Sequence, residues 1–261
     1  MVMGHTNWNE KLEYLQTTRQ NMWNDDYFEF LVKNVWKLDK PINIIDFGCG
    51  YGYLGTKLLP LVSSGSTYTG IDIAETLIEK AKNLFLDAPY QTKFKVADLL
   101  TYETEEKYDV AICQSVLRHI PEVEQILQKM VKSVGKGGMV ICIEPNRRME
   151  NSGIYVDDVN YDVFSRDDFL REHWTKEKAN GGRDFLVGIR IPVYMEQMGL
   201  SDVGIRVNDY VDFVSPKSNK ESYEEHRKNF IVNNLFDYQG ENSNNFICAK
   251  CHLISYGIKR W

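Results

Sequence analysis

Three aspartates recur at equal intervals in the first half of the chain, and their spacing suggests that they act together. Asp46, Asp72 and Asp98 lie 26 residues apart, and each follows a short apolar run that predicts a β-strand. The interval is close to a βαβ repeat, which joins parallel strands. Parallel strands end at the same edge of a sheet, so we expect these carboxylates to line one ligand-binding crevice. Helix capping is the alternative for each aspartate taken alone.

A glycine-rich turn follows the first of these aspartates. Residues 42–55 read Ile-Asn-Ile-Ile-Asp-Phe-Gly-Cys-Gly-Tyr-Gly-Tyr-Leu-Gly. They predict a buried strand, then a turn with glycines at 48, 50 and 52, then the start of a helix. Glycine lets the backbone turn sharply and approach a ligand closely, and a helix N-terminus presents free N–H groups. The stretch therefore predicts the first unit of a nucleotide-binding α/β sheet.

Two classes of ligand are compatible with such a turn. Gly50-x-Gly52-x-x-Gly55 matches the dinucleotide fingerprint, and Asp72 follows near the expected distance, so an NAD-dependent oxidoreductase stays open. Asp46 argues against it, because a carboxylate at the strand tip would repel the two phosphates of NAD. A ligand with a positive centre and no phosphate, such as S-adenosylmethionine, would be attracted instead.

The turn and the segments after it resemble the class I S-adenosylmethionine-dependent methyltransferases of the small-molecule type. Asp-Phe-Gly-Cys-Gly-Tyr-Gly is similar to motif I of that family, and the resemblance covers roughly residues 40–146. It implies an α/β fold with a Rossmann-like, doubly wound sheet of about seven strands, mostly parallel with an antiparallel last strand, and helices on both faces. The other similar segments are Gly70–Ile73, Ala97–Leu99, Tyr108–Ile112, Val116–Ile120 and Gly137–Ile141.

Contacts with S-adenosylmethionine can be assigned on this basis. Asp72, an acidic residue after the second strand, is suited to accept hydrogen bonds from the ribose hydroxyls. By resemblance, Asp98 would accept a hydrogen bond from the adenine amine, while Ile73 and Leu99 would enclose the ring. Gln114, after the fourth strand, would lie beside the methionine part. The expected cofactor-binding residues are Tyr27, Asp46, Gly48, Cys49, Gly50, Asp72, Ile73, Asp98, Leu99 and Gln114.

Catalysis would depend first on positioning. Methyl transfer from a sulfonium is an in-line displacement with a good leaving group, so alignment of the acceptor supplies much of the effect. A base helps where the acceptor carries a proton, and His119 and Glu144 are the candidates at this sheet edge. Tyr155 or Tyr161 could contribute, and His119 equally suits a hydrogen bond that pins its loop. A non-catalytic module that binds S-adenosylmethionine is the third hypothesis.

The motifs that are absent favour a small-molecule methyl acceptor. The fourth strand ends in Cys-Gln-Ser, not in the Asn-Pro-Pro-Tyr type of sequence found in amino-methylating nucleic-acid enzymes. No Pro-Cys follows it, and no aspartate at that point supports a metal-dependent catechol O-methyltransferase. The formal net charge of -6 disfavours nucleic acid as a partner. A protein side chain is the second choice of acceptor, and the sequence does not indicate the acceptor atom or the oligomeric state.

The chain is expected to form one methyltransferase domain over residues 1–261. Helical patterns in 1–40 suggest either a lid over the cofactor or packing on the sheet edge. The cofactor-binding core would span 40–146, an insertion that shapes the substrate pocket 146–184, and the completion of the sheet 185–261. Within that last part, the patterns predict a helix at 186–199, a strand at 203–214, a helix near 221–230 and a strand at 246–258.

Cysteine usage indicates the cellular environment. The chain has five cysteines, and Cys49, Cys113 and Cys142 lie in predicted strands or at their ends, so we expect these to be reduced thiols in a cytoplasmic protein. No secretory signal or membrane-spanning run is visible, so we expect no membrane contact. Cys248-x-x-Cys251-His252 suggests a metal site at first sight. A structural zinc site needs four ligands, however, and no second pair is evident, so we expect no metal.

Overall fold

The computed structural model describes residues 7–20, 22–152, 154–156, 167–217, 223–224, 245–249 and 251–261. Its strands are β1 (Asn43–Phe47), β2 (Thr67–Asp72), β3 (Gln91–Val96), β4 (Tyr108–Gln114), β5 (Val134–Pro145), β6 (Ile154–Val156), β7 (Ser201–Val207), β8 (Val211–Val214), β9 (Phe246–Ala249) and β10 (His252–Ile258). Its α-helices are α1 (Leu12–Gln20), α2 (Asp25–Phe30), α3 (Tyr53–Leu58), α4 (Glu75–Leu84), α5 (Val123–Ser133), α6 (Arg147–Ser152), α7 (Asp167–Ala179) and α8 (Val187–Gln197).

Seven of these strands form one sheet in the order β3-β2-β1-β4-β5-β10-β7. The pairs among the first five are parallel, whereas β10 runs antiparallel to both of its neighbours. The prediction of a Rossmann-like doubly wound sheet with an antiparallel last strand is confirmed. The order reverses between β1 and β4, and ligands bind at this switch point in open α/β sheets.

Each face of the sheet carries its own hydrophobic core, because successive side chains of a strand point to opposite faces. Ile44 of β1 packs with α2 and α3, while its neighbour Ile45 packs with α5 and α8. The buried strand residues are apolar from Val110 to Cys113 in β4 and from Val140 to Ile143 in β5, as central parallel strands require. Gln114 and Glu144, at the carboxyl ends of the two strands, are buried polar residues. The core around Ile45 contains residues of α5 and α8, namely Ile126, Leu127, Met130, Ile191 and Met195. The core around Ile44 contains Phe28, Leu54 and Leu58.

The C-terminal part differs from its prediction in strand number. The single strand expected over 203–214 is wrong, because β7 belongs to the large sheet and β8 to a second sheet. The single strand expected over 246–258 is wrong in the same way, since β9 joins that second sheet and β10 enters the large one. The strand order of the second sheet is β6-β9-β8, and all of its strand pairs are antiparallel. A continuous alternating pattern does not reveal where a chain changes sheets.

The three predicted strand ends hold to within two residues. β2 ends at Asp72, β1 continues one residue past Asp46, and β3 ends two residues before Asp98. The helix expected over 186–199 is present as α8. Tyr161 and most of the helix expected near 221–230 lie outside the described residues, as does the side chain of Tyr155. None of the helices in the described part has the length and apolar character that crossing a membrane requires.

Candidate functional site

The turn after β1 has the backbone conformation that its glycines permit. Gly48, Gly50 and Gly52 have φ of 79°, 55° and 86°, in the left-handed region. A Cβ on Gly48 would lie 2.5 Å from Cγ2 of Val116, so only glycine allows this close approach to the loop after β4. Beside Gly50, the nearest atom to such a Cβ is Cδ1 of Leu15 at 3.7 Å, which leaves room along the turn.

Asp72 joins the turn to the next helix. Its Oδ2 accepts a hydrogen bond from the Gly50 N–H at 2.8 Å, and its Oδ1 accepts one from the Ala74 N–H at 2.9 Å. Burial raises the pKa of Asp72, and these donors oppose the shift. An ionised carboxylate offers about four acceptor positions. Both oxygens can therefore also accept hydroxyl donors from a ligand.

Asp46 lies beneath the turn and is buried. Its Oδ2 accepts a hydrogen bond from the Tyr68 hydroxyl, while its Oδ1 has no partner among the described residues. Burial raises the pKa of Asp46 to about 7, the Tyr68 hydrogen bond opposes this, and the charge of Asp72 adds to it. A buried carboxyl oxygen without a donor is costly. The site would therefore be stabilised by a cationic ligand.

The side chains expected around an adenine differ in exposure. Ile73 is 55% exposed and presents an open apolar face after β2, whereas Leu99 is buried in the core. Asp98 is exposed, and its Oδ1 accepts a hydrogen bond from the Leu100 N–H at 2.9 Å. Cys49 is buried, and its Sγ would lie 2.7 Å from a Cβ on Gly70, so its side chain packs into the sheet. Cys49 can thus meet a ligand only through its backbone.

Gln114, at the end of β4, is bound to the N-terminal segment. Its Oε1 accepts a hydrogen bond from the Trp23 indole N–H at 3.2 Å, and its Nε2 donates to Sδ of Met22 at 3.1 Å. Tyr27 lies further along the sheet edge, where its hydroxyl donates to the Val207 carbonyl of β7 at 2.9 Å. The geometry therefore favours Trp23 over Tyr27 as the aromatic residue that covers the site.

The N-terminal segment contacts both α4 and the loop after β4. Leu15 of α1 packs with Leu77 of α4. Before α1 begins, the Trp8 ring meets the His119 ring edge-on at 4.8 Å between centroids. The backbone N–H of Thr76 donates to Asn9 Oδ1 at 3.1 Å, which fixes the segment to the start of α4.

Arg19 of α1 is a candidate that the sequence patterns do not reveal. Burial is the main cause that lowers the pKa of Arg19, and the charge of Arg118 lowers it further. The charge of Glu144 opposes the shift. The positive charge of Arg19 also opposes the rise of the Asp46 pKa. It makes no ion pair with any carboxylate among the described residues. Arg19 is half-buried, and a cation partly removed from water without such a partner favours an anionic group of a ligand.

The two expected catalytic residues hold the loop after β4. Oε1 of Glu144 accepts hydrogen bonds from the Val116 and Leu117 N–H groups, both at 2.8 Å, and burial raises the pKa of Glu144 to about 6. The Arg118 Nε–H donates to His119 Nε2 at 2.9 Å. Burial, then the charge of Arg118, lowers the pKa of His119 to about 2. This imidazole stays neutral and its lone pair is occupied, which favours the loop-pinning alternative.

No group of His, Cys, Asp and Glu side chains suited to hold a metal ion occurs within the described ranges. The Cys248 side chain lies outside the description.

Comparison with known proteins identifies the family. A family model described as a methyltransferase domain matches residues 38–189, more than half of the chain. A ubiquinone biosynthesis O-methyltransferase from Rickettsia felis is 26% identical over 145 residues, which cover 56% of this chain and 58% of the relative. The chain therefore spans about half the length of the curated relatives it matches.

Two solved structures share the fold at low identity. Phosphoethanolamine N-methyltransferase 2 from Haemonchus contortus, in complex with S-adenosyl-L-methionine, has a TM-score of 0.60 at 12% identity, covering 100% of this chain and 61% of that one. Magnesium protoporphyrin IX methyltransferase from Synechocystis, with bound S-adenosylhomocysteine, has a TM-score of 0.50 at 17% identity, covering 93% and 83%. By the match over 38–189 and its sheet order, this chain belongs to the methyltransferase domain family, with the Rossmann-like fold of class I S-adenosylmethionine-dependent methyltransferases.

Proposed function

We propose that this chain transfers a methyl group from S-adenosylmethionine to a hydroxyl oxygen of a small molecule. The observation that carries the proposal is the Asp46 carboxyl, buried beneath the glycine turn with Oδ1 unpartnered among the described residues. A carboxylate there attracts the positive charges of a sulfonium and an amino group. It would repel a pyrophosphate, which argues against the NAD alternative for Gly50–Gly55.

The remaining side chains of the crevice suit the other parts of this donor. Asp72 accepts ribose hydroxyls at the end of β2, and Ile73 and Asp98 receive the adenine. Arg19 pairs with the carboxylate of the methionine part, and the backbone of residues 48–50 lies along it. When bound, the donor supplies an electrophilic methyl group on sulfur.

We assign the task of closing the site to the N-terminal segment. Leu15 lies beside Gly50, and Trp23 is hydrogen-bonded to Gln114. Together they exclude water from the methionine end, which strengthens the electrostatic contacts there. Residues 1–40 thus form the lid, 40–146 the donor-binding core, 146–184 the wall of the acceptor pocket, and 185–261 complete the sheet.

The choice of a hydroxyl acceptor rests on the curated relatives. The relative from Rickettsia felis is named as an O-methyltransferase of ubiquinone biosynthesis, and it aligns with part of this chain. The net charge of -6 favours a small molecule over nucleic acid.

The first test is calorimetric titration with S-adenosylhomocysteine and, for comparison, NADH. We expect tight binding of S-adenosylhomocysteine, a loss of about tenfold or more in Asp72→Ala, and no response to NADH. NADH binding without a response to S-adenosylhomocysteine would overturn the proposal.

The second test measures methyl transfer from radiolabelled S-adenosylmethionine to a panel of phenols, catechols and aliphatic alcohols. Label on an ether oxygen supports the proposed reaction. Tight donor binding with no label on any member of the panel would instead favour the non-catalytic binding module.

A further inference from the structure

A second cluster of polar side chains lies at the same edge of the sheet, beyond the residues assigned above. Ser115 directly follows β4, Glu150 belongs to α6, and His252 begins β10; all three are buried. Because β10 is antiparallel to β5, His252 pairs with Pro145 at the carboxyl end of β5. Three segments that are distant in the sequence therefore meet beside the tips of the two central strands.

The three side chains are arranged in series. Oγ of Ser115 lies 3.3 Å from Nε2 of His252, a hydrogen-bonding distance. Nδ1 of the same imidazole lies 3.6 Å from Oε1 of Glu150, an ion-pair distance. The other oxygen, Oε2, accepts a hydrogen bond from Nη1 of Arg147 at 2.8 Å. The hydroxyl, the imidazole and the carboxylate thus follow the order of a serine–histidine–carboxylate triad, with the carboxylate at an ion-pair distance that is longer than a hydrogen bond.

The backbone holds this arrangement at both ends. Ser115 has φ of 57°, an uncommon conformation for a residue other than glycine, asparagine or aspartate. Its N–H donates to the Ile143 carbonyl of β5 at 2.8 Å. The N–H of His252 donates to Asn208 Oδ1 at 3.3 Å, and the N–H of Asn208 donates to the His252 carbonyl at 3.0 Å. Strain that the surroundings maintain in this way is common at functional sites.

The position of Ser115 links the cluster to the donor site. Its neighbour Val116 contacts the α-carbon region of Gly48, and Gln114 on its other side holds the N-terminal segment. An acceptor hydroxyl placed in line with a methyl group at the glycine turn would therefore lie near the tip of β4. His119, by comparison, has its Nε2 lone pair occupied by Arg118.

We propose that His252 is the general base of the reaction and that Ser115 passes the acceptor's proton to it, with Glu150 as a positioning residue. This inference rests on the proposed function. As the acceptor oxygen bonds to the methyl carbon, the carbon–sulfur bond breaks and its electron pair neutralises the sulfonium. The hydroxyl proton moves to Ser115 Oγ, and the Ser115 proton moves to Nε2 of His252. Glu150 stabilises the resulting imidazolium.

A structural role would involve the same contacts, since they also join β4, α6 and β10. The two roles differ in the tautomer they need. A base requires the proton on Nδ1, facing Glu150, and the lone pair on Nε2, facing Ser115. A purely structural contact is equally served by a proton on Nε2 that is donated to Ser115 Oγ.

Nitrogen-15 NMR of the histidine rings in the full chain with S-adenosylhomocysteine distinguishes these tautomers without any acceptor. We expect neutral His252 to carry its proton on Nδ1 in the wild type, and Glu150→Gln to weaken that preference. His252→Asn assigns the signal, and His173→Asn, a change in α7, is the matched control. A proton on Nε2 in the wild type would overturn the proposal.

The second measurement compares catechol with 4-nitrocatechol as acceptors at mildly alkaline pH, where the more acidic nitrophenol hydroxyl is already ionised. Ser115→Ala and His252→Asn should lower kcat for catechol by ~10²-fold or more, and affect 4-nitrocatechol far less. Equal losses for both acceptors would indicate a structural role and overturn the relay.

Donor binding separates this inference from the proposed function. Both variants should bind S-adenosylhomocysteine as the wild type does, because neither residue is assigned to the donor. Failure of the wild type to bind it would refute the proposed function and the relay with it, whereas binding together with a proton on Nε2 would overturn the relay alone.

Discussion

At the scale of single residues, the three equally spaced aspartates show how burial and hydrogen bonding separate the properties of identical side chains. Asp98 is exposed, Asp72 accepts two backbone N–H groups, and Asp46 is buried beside a tyrosine hydroxyl. Of the three, the structure gives Asp46 a pKa raised to about 7, because burial disfavours its charged form. This one carboxyl can therefore change its charge near neutral pH.

Ligand affinity should consequently depend on Asp46 ionisation. S-adenosylhomocysteine has no sulfonium, but its protonated amino group would bind the carboxylate form of Asp46, which becomes the major species only as pH rises through about 7. Affinity for S-adenosylhomocysteine should thus increase roughly tenfold from mildly acidic to mildly alkaline pH. Titration calorimetry across this range measures it.

Asp46→Asn should remove most of this dependence, whereas Asp87→Asn, an exposed control, should keep it. Glu144 also titrates in this range, because its pKa is raised to about 6. The pH dependence of affinity that remains in Asp46→Asn therefore measures the contribution of Glu144. An affinity of the wild type that does not change with pH would contradict the prediction.

The His119 imidazole should destabilise the fold in acid. Burial keeps it neutral, with a pKa of about 2, whereas the unfolded chain binds a proton below the ordinary histidine pKa of about 6.5. The stability that neutral His119 contributes to the fold is therefore fully present above about pH 6.5 and is lost as the pH falls below it. Between about pH 7.5 and about pH 5.5, the wild type should lose roughly 1 kcal/mol more unfolding free energy than His119→Gln.

Urea unfolding at the two pH values measures this difference. His119→Gln also loses the contact with Trp8 at both pH values, so only the change with pH is informative. Equal losses in the two proteins would show that His119 is protonated in the folded state.

At the scale of elements, the turn after β1 is specified by one side chain from another loop. The left-handed φ of Gly48 by itself would penalise a side chain, and Val116 occupies the place that a Cβ would take. Gly137 has a similar φ of 81° but open space around it. A comparison of alanine substitutions at Gly48 and Gly137 therefore distinguishes the cost of backbone strain from the cost of a steric clash.

Gly137→Ala should cost about 1–2 kcal/mol, the penalty of a left-handed alanine, and leave ligand binding unchanged. Gly48→Ala should cost more, because the methyl group meets Val116 at 2.5 Å. It should also weaken S-adenosylhomocysteine binding at least tenfold. Urea unfolding and calorimetry provide the two measurements.

Adding Val116→Ala to Gly48→Ala tests the cause. Removal of the two γ-methyl groups should recover part of the lost stability, so the two changes should be non-additive. Additive losses would show that the Val116 contact does not restrict this position.

At the scale of the whole molecule, the candidate site brings together segments that are distant in the sequence. The N-terminal segment contacts α4, the loop after β4 and β7. A ligand at the turn would therefore stabilise more than the turn itself. At a free concentration about 100 times its dissociation constant, S-adenosylhomocysteine should add about 2.7 kcal/mol to the unfolding free energy.

Hydrogen exchange with and without S-adenosylhomocysteine should locate the effect. We expect slower exchange in the turn around Gly50 and in α1, and little change in α7, which carries none of the assigned donor contacts. Protection confined to the turn would contradict the proposed role of the N-terminal segment as a lid.

Local sequence patterns determined the five parallel strands of the large sheet and the edge at which they end. Strand alternation, helical periodicity and the glycine turn each depend on residues close in the chain, so they can be read directly. The Asp46–Gly52 stretch lies at the carboxyl end of β1, beside the point where the strand order reverses. Which residues bind a ligand there is still a prediction. The hydrogen bond from the Gly50 N–H to Asp72 became evident only in the fold.

Tertiary structure alone decided which distant side chains meet. Ser115 and His252 are 137 residues apart, and they meet because β10 inserts between β5 and β7. Leu15 lies beside Gly50 because α1 packs against α4, and β6, β8 and β9 form a second sheet of their own. Such contacts follow from the burial of apolar faces over the whole chain, which no local spacing encodes.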